Sequence, residues 1–254
     1  MLNQAAMKLY ARELLPSRFF LWSKSLYYRL QALPCVVGKS VTCPCCGHQL
    51  RRFVSFSGRP TLCPWCWSLP RHRLLYFYLQ SHTNLFRDTL TVLHFAPDAL
   101  AWRLRASPQL IYVSADLEDP RAMKKIDITA IPFADQTIDA ILCSHVLEHV
   151  PDDSKAMSEL YRILKPGGWA ILLVPINLDR ATTFEDPSIV DPKERERLFG
   201  QYDHVRIYGR DYVTRLEQAG FTVRQDEYAR TLDSSFIQQH GLNSNDTIFF
   251  CSRS

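Results

Sequence analysis

From about residue 89 the chain alternates short apolar runs with amphipathic stretches. TLTVLHF (89–95) reads as a buried strand and PDALAWRLRA (97–106) as a helix. QLIYVSADL (109–117) is a strand ending on an acid, and AMKKIDIT (122–129) gives a short strand. TIDAILCSHVL (137–147) is a strand running into a helical start. DDSKAMSELYRIL (152–164) then places Met157, Leu160, Ile163 and Leu164 at helical spacing. KPGG predicts a turn and WAILLVPI (169–176) a buried strand. GRDYVTRLEQAGF (209–221) is a helix closing at Gly220, and FTVRQDEY and DTIFFCS are two last strands, a hairpin at the sheet edge. Such a βαβαβ order predicts a parallel sheet with helices on both faces and a ligand at the carboxyl ends of its strands.

The front of the chain has a different pattern. Cys43-x2-Cys46 and Cys63-x2-Cys66 are separated by 16 residues. Each C-P-x-C turn aims two thiolates at one point, and two such turns make a tetrahedral zinc site. Gly47 suits the left-handed residue that such a knuckle requires. Between the pairs, LRRFVSFSGRPTL reads as a hairpin about Ser57-Gly58. A segment this small has little core, so the metal would supply much of its folding free energy. Disulfides are the alternative, and they would imply export. Cys35, Cys45, Cys143 and Cys251 are left over, with Cys143 in a hydrophobic run; unpaired thiols suit a reducing, cytoplasmic setting.

Charge divides the chain in the same place. Residues 1–80 hold eleven Lys and Arg and one acid, Glu13, a balance of +10; the total of +4 leaves −6 for the remainder. A basic front suits RNA, an anionic lipid surface or an acidic partner, or equally a skirt docked on its own acidic body. The expected division is a helical arm over 1–40, a zinc-knuckle module over 41–70, a linker helix over 71–88 and an α/β domain over 89–254. In the arm, LPSRFFLWSKSLYYRLQALP interleaves Phe19, Phe20, Trp22 and Tyr27 with basic residues. It reads as an amphipathic helix packing on the body, with stacking on nucleic acid or peripheral membrane contact as alternatives. No apolar run reaches the ~18–20 residues that span a bilayer, and the start lacks the layout of a signal peptide.

The stretch IPFADQTIDAILCSHVLEHVPDDSKAMSELYRILKPGGWAILLVPI resembles the core of class I S-adenosylmethionine-dependent methyltransferases of the small-molecule type, the type 11-like family. The resemblance covers about residues 89–252. It implies a Rossmann-like, seven-stranded, mostly parallel sheet with an antiparallel last strand, preceded here by a small zinc-ribbon-like module. A cysteine knuckle pair ahead of such a domain is also similar in architecture to ribosomal-RNA guanine methyltransferases. The implied function is transfer of a methyl group from S-adenosyl-L-methionine to an O or N atom of an unidentified acceptor, a small molecule or sugar-like metabolite. RNA methylation through the basic front, and a non-catalytic binding protein that keeps the fold, are the alternatives.

On this alignment the first cofactor loop departs from the family. Its acid falls on His94, and its glycines on Ala96, Asp98 and Leu100; no glycine occurs between Gly58 and Gly167. Ala96 is the next-smallest choice, and Pro97 is acceptable in a first helical turn. Asp98 near a helix N-terminus would repel a pyrophosphate, which argues against NAD or ATP, whereas a cofactor carrying an ammonium and a sulfonium suits it. The loop is expected to be rebuilt; a degenerate loop without activity is the other reading. Asp116 at the end of the second strand, with Leu117, would meet the ribose, although it also reads as a cap. The resemblance assigns Asp127-Ile128 to the adenine, and Ser144 and His145 to the cofactor, while Ile128 reads equally as core.

His145, Glu148 and His149 stand at i, i+3 and i+4, on one face if the segment is helical. Asp203, His204, Arg206 and Tyr208 follow the polar insertion NLDRATTFEDPSIVDPKERERLFGQ, whose position after the fifth strand suits a lid. His145, His149 or His204 would serve as general base. A divalent metal held by His145, Glu148, His149 and His204 is the second reading; an acid-x-x-Glu-His pattern resembles metal-using O-methyltransferases acting on quinone precursors and on RNA 2′-hydroxyls, with His145 here in the place of the first acid. Local packing is the third. Arg206 and Tyr208 are expected to hold an anionic or planar acceptor, or to lie on the surface.

Overall fold

The computed structural model describes residues 35–56 and 59–254. The expected arm therefore lies outside the described residues, except for its last six, and so does the Ser57-Gly58 turn. The chain forms two compact units. One takes the described residues up to Arg73 together with Asp233–Asn243; the other takes Leu74–Leu232 and Ser244–Ser254. This division differs from the expected one, because the continuous domain drawn over 89–254 gives up eleven residues near its end to the cysteine-bearing unit.

The larger unit is built on a seven-stranded sheet. Its strands are β1 (Leu90–Phe95), β2 (Leu110–Asp116), β3 (Lys124–Lys125), β4 (Ile138–Ser144), β5 (Leu164–Leu173), β6 (Thr222–Asp226) and β7 (Ile248–Ser252). Their spatial order is β6-β7-β5-β4-β1-β2-β3. The first five strands run parallel to one another, while β7 runs antiparallel to both β5 and β6. The expected Rossmann-like α/β sheet with an antiparallel last strand is thus present. Val92 and Leu93, Ala140 and Ile141, and Ala170, Ile171 and Leu172 are buried on consecutive positions, as strands covered on both faces require.

Three local outcomes differ from the pattern reading. The helix expected over 97–106 spans only Ala101–Arg105. Asp98 Oδ1 accepts from the backbone N–H of Leu100, and this side-chain turn holds off the helix start. KPGG is a bulge inside β5, where the register with β4 slips between Ile138 and Ala140. A Cβ on Gly168 would lie 2.9 Å from the carbonyl oxygen of Lys165 and 3.0 Å from that of Asp139, so only glycine fits. The last two strands pair antiparallel as expected, but the helix Ser234–His240 intervenes between them.

The polar insertion is ordered. Asp191 caps the helix Pro192–Phe199 by accepting from the N–H groups of Lys193 and Glu194, and Gly200 ends it in the left-handed region. Phe184–Glu185 pairs antiparallel with Arg206–Ile207. Among the described residues no helix is long and apolar enough to cross a membrane.

The tips of β1, β2 and β4 end level with one another. Phe95 is in register with Ala115 on one side and Cys143 on the other, so Ala96, Asp116 and Ser144 follow at one height. Ala96 donates its N–H to the Ala115 carbonyl at 2.9 Å and then turns at φ +48°. This left-handed conformation is the one glycine adopts freely, and for an L-residue it costs ~1 kcal/mol. Ala96→Gly is therefore expected to leave stability unchanged or raise it by up to ~1 kcal/mol, and Ala96→Val to lower it. Urea midpoints check this; a loss of ~1 kcal/mol in Ala96→Gly, as at an ordinary right-handed position, would contradict the assigned turn.

Candidate functional site

Two groups of chemistry-bearing side chains stand out, one in each unit. In the smaller unit, the sulfurs of Cys43, Cys46, Cys63 and Cys66 all lie within 4.8 Å of one another. Cys43 Sγ is 3.5 Å from Cys66 Sγ, and Cys46 Sγ is 3.7 Å from Cys63 Sγ. These are non-bonded separations, and no described cysteine is in a disulfide. They approach the ~3.8 Å edge of a tetrahedron built on a 2.3 Å zinc–sulfur bond. The two knuckles share one backbone pattern. Cys43 N–H bonds to the His48 carbonyl and Gly47 N–H to that of Cys43; Cys63 bonds to Ser68 and Trp67 to Cys63 in the same way. Gly47 stands at φ +78°, as expected for a knuckle, and Trp67 takes the equivalent place at φ +63°.

Behind the thiols, Ser68 Oγ lies 3.2 Å from Cys43 Sγ and 3.3 Å from Cys66 Sγ. The fully buried Arg73 ties the unit together. It donates to the carbonyls of Ser68, Thr61, His240 and Gly241 and stacks over Phe53. His240 Nδ1 adds a hydrogen bond to the Thr42 carbonyl at 2.9 Å. Sequence reasoning missed Arg73 and the returning segment, because their partners are more than 160 residues apart.

In the larger unit, the expected cofactor residues sit at or beside the strand tips. Asp116 Oδ1 accepts from the N–H groups of Glu118 and Asp119, each at 2.8 Å, which shapes the turn after β2. Its Oδ2 is left without a hydrogen bond among the described residues. Leu117 beside it is 50% exposed. Asp127 is exposed, and its Oδ1 accepts from both N–H and Oγ1 of Thr129, which holds its carboxyl below the usual range. Ile128 is buried and Ser144 half-buried. Pro97 and Asp98 are half-buried in the turn after Ala96.

Three expectations are corrected by the geometry. The His94 ring is fully buried, with Nδ1 3.0 Å from the Tyr112 hydroxyl and Nε2 3.8 Å from Asp98, so it supports the loop and offers no side-chain contact to a cofactor. Arg206 is buried and spends its donors inside the protein. It reaches the carbonyls of Leu147, Val150 and Pro151 and the carboxylate of Glu185 at 2.7 Å. Tyr208 is fully buried and donates to Asp153 Oδ2 at 2.7 Å; burial, with the Asp153 charge beside it, pushes its hydroxyl well above the ordinary range. Neither Arg206 nor Tyr208 is placed to hold an acceptor. Both instead fasten the turn that follows β4.

That turn carries the histidines. His145, at φ +57°, leaves the sheet beneath an N–H bond to the Leu173 carbonyl. Residues Leu147–His149 form one turn of 3₁₀ helix. His145 Nδ1 lies 3.0 Å from Glu148 Oε1. Glu148, itself buried, also comes together with His149 and His204. The two imidazoles of that group stand edge to face, 4.7 Å between centroids. Burial holds His204 below the ordinary imidazole range, which favours its neutral form. His145 and His149 remain about 30% exposed, so their rings reach solvent at the sheet's carboxyl edge.

Comparison with known proteins finds partial matches. Residues 83–172 match the sequence model of a family described as a methyltransferase domain. A Mycobacterium protein (strain KMS) named as an uncharacterized methyltransferase is 48% identical over 44 residues, 17% of this chain and 18% of its own length. The demethylmenaquinone methyltransferase of Streptomyces avermitilis is 48% identical over 46 residues, 18% of this chain and 20% of its own. The chain thus spans about a fifth of the length of these curated relatives. Among solved structures, the YcgJ protein from Bacillus subtilis is similar over 72% of this chain and 99% of its own, with 16% identity and a TM-score of 0.45.

Burial sets a pH dependence through His94, whose folded form takes up a proton less readily than an ordinary imidazole. Its stabilising contribution is fully present above pH ~6.5 and declines as pH falls below that value. Urea midpoints should therefore drop between pH 7.5 and 5.5, and the drop should shrink in His94→Gln; an equal drop in both proteins would contradict this assignment.

Proposed function

We propose that the chain is an S-adenosyl-L-methionine-dependent methyltransferase whose cofactor lies across the tips of β1, β2 and β4. The observation that carries this reading is the level ending of those strands. Ala96 in a left-handed turn and the Asp116 carboxylate stand side by side there, inside the segment that matches the methyltransferase-domain family. The residues present fit such a molecule. Asp116 Oδ2 is the oxygen that would accept from the ribose hydroxyls, while Oδ1 holds the turn. Exposed Leu117 offers an apolar flank. The backbone opening that three glycines would provide is supplied by Ala96 and the side-chain turn of Asp98.

When bound, the cofactor supplies an electrophilic methyl group on a sulfonium that leaves as a neutral thioether. The protein's tasks are then to align the acceptor and to receive its proton. His145 is suited to the second task. Glu148 engages its Nδ1, which leaves Nε2 as the basic nitrogen of a ring that is about 30% exposed. An acceptor O–H or N–H would give its proton to that nitrogen as the new bond to carbon forms. The name of the Streptomyces avermitilis relative supports a small-molecule acceptor ahead of RNA. We further assign a structural zinc ion to the four cysteines, whose sulfur spacing and paired knuckles suit a closed tetrahedral site.

Calorimetric titration with S-adenosylmethionine and S-adenosylhomocysteine tests the cofactor site. Asp116→Asn keeps an oxygen for the turn and removes the charge facing the ribose. Binding in the micromolar range, weakened about 10- to 100-fold in the variant, is expected from the loss of a charge-assisted hydrogen bond. Absence of binding by folded protein, or equal affinity in the variant, would overturn the reading.

A further inference from the structure

We propose that Glu148, His149 and His204 form a binding site for a divalent first-row transition-metal ion at the carboxyl end of β4, separate from the four-cysteine site. Each residue offers one ligand atom, and the three atoms lie within 4.8 Å of one another. Two imidazoles and a carboxylate make a donor set of intermediate softness, suited to zinc, cobalt, manganese or iron(II).

Three independent features point to a cation. First, Glu148 is 1% exposed, and its Oε2 has no hydrogen-bond partner among the described residues. A buried carboxylate oxygen left unpaired is unfavourable, and a cation would satisfy it. Its other oxygen, Oε1, is already engaged by His145, so the carboxylate is oriented and not free to turn away. Second, both histidines are held in the form that binds metal. His149 Nδ1 lies 3.3 Å from the Asp203 carbonyl, and His204 Nδ1 lies 3.2 Å from the Phe199 carbonyl. A carbonyl only accepts, so each Nδ1 carries the proton in the neutral ring and each Nε2 keeps its lone pair. Such backbone contacts are the usual outer support of metal-bound histidine.

Third, the two segments carrying the ligands are fastened to each other. Val205 donates its N–H to the Glu148 carbonyl at 2.9 Å. Arg206 grips the carbonyls of Leu147, Val150 and Pro151. The ligands come from two stretches more than fifty residues apart, yet the backbone between them has little room to move. Nitrogen and oxygen ligands about 2.1 Å from a tetrahedral ion stand ~3.4 Å apart. Binding therefore asks for side-chain shifts of about an ångström. Three protein ligands leave a coordination position open on a tetrahedral ion, as in sites where a metal meets substrate. On the methyltransferase reading, that position takes the acceptor's oxygen; the ion site itself does not depend on that reading. A competing arrangement is a protonated His149 paired with Asp203, whose Oδ2 is 3.6 Å away.

Metal-free protein titrated with Co(II), followed by absorbance and by metal analysis after desalting, tests the site. Two ions per chain are expected. One should show the intense thiolate-to-metal charge-transfer bands of the cysteine site, and the other only the weaker d–d bands of nitrogen and oxygen ligands. Glu148→Gln and, as a more exposed change, His149→Gln should each weaken the second ion at least tenfold and leave the thiolate bands unchanged. A single ion per chain up to millimolar Co(II), or a second ion bound equally by wild type and a folded variant, would overturn the proposal and favour the His149–Asp203 pair. S-adenosylhomocysteine binding, measured on the same samples, separates failure of this site from failure of the methyltransferase reading.

Discussion

The parallel pairing of β1 with β2 on one side and β4 on the other is the constraint on which the larger unit depends. Phe95 is matched to Ala115 and to Cys143, so three strands release their chains at one height. Every residue considered for cofactor chemistry leaves the sheet within a few positions of that line or packs directly against it. Parallel strands expose their final N–H and C=O groups at one edge, and turns there must satisfy them. Ala96 does so through Ala115, His145 through Leu173, and Asp116 by folding its carboxylate over the next two N–H groups.

The absence of glycine from the first loop thus has a physical resolution. What the loop needs is a backbone turn, and alanine can make it at a modest steric cost. The same substitution of side chain for glycine recurs at the second knuckle, where Trp67 holds the conformation that Gly47 adopts in the first. Both positions are fixed by their neighbours: a strand ladder holds Ala96, and the Cys63 carbonyl holds Trp67. Backbone strain of this kind persists where the surroundings over-determine it.

What the sequence made legible was local or periodic. The apolar runs at 90–95, 110–116 and 138–144 announced buried strands, because consecutive buried positions leave little room for polar residues. The paired C-P-x-C turns announced a four-thiol cluster. What stayed hidden was carried by contacts between distant stretches. Arg206 and Tyr208 read as surface or acceptor-binding residues because nothing adjacent shows that Leu147, Val150, Pro151 and Asp153 consume their donors. Arg73 read as one of several basic residues, yet it joins the cysteine unit to the segment ending at Asn243. The histidine face at 145–149 was partly visible from its i, i+3, i+4 spacing. That His204 would complete it depends on Arg206 and Val205, which bring the later strand back to the turn.

The central claim is that a ligand lies across the level tips of β1, β2 and β4. Hydrogen exchange measured with and without saturating S-adenosylhomocysteine tests it most directly. The account predicts slowed exchange confined to residues 94–101, 116–119 and 144–150, the three turns that follow those strands. No protection, or protection that falls elsewhere and spares these turns, would contradict it.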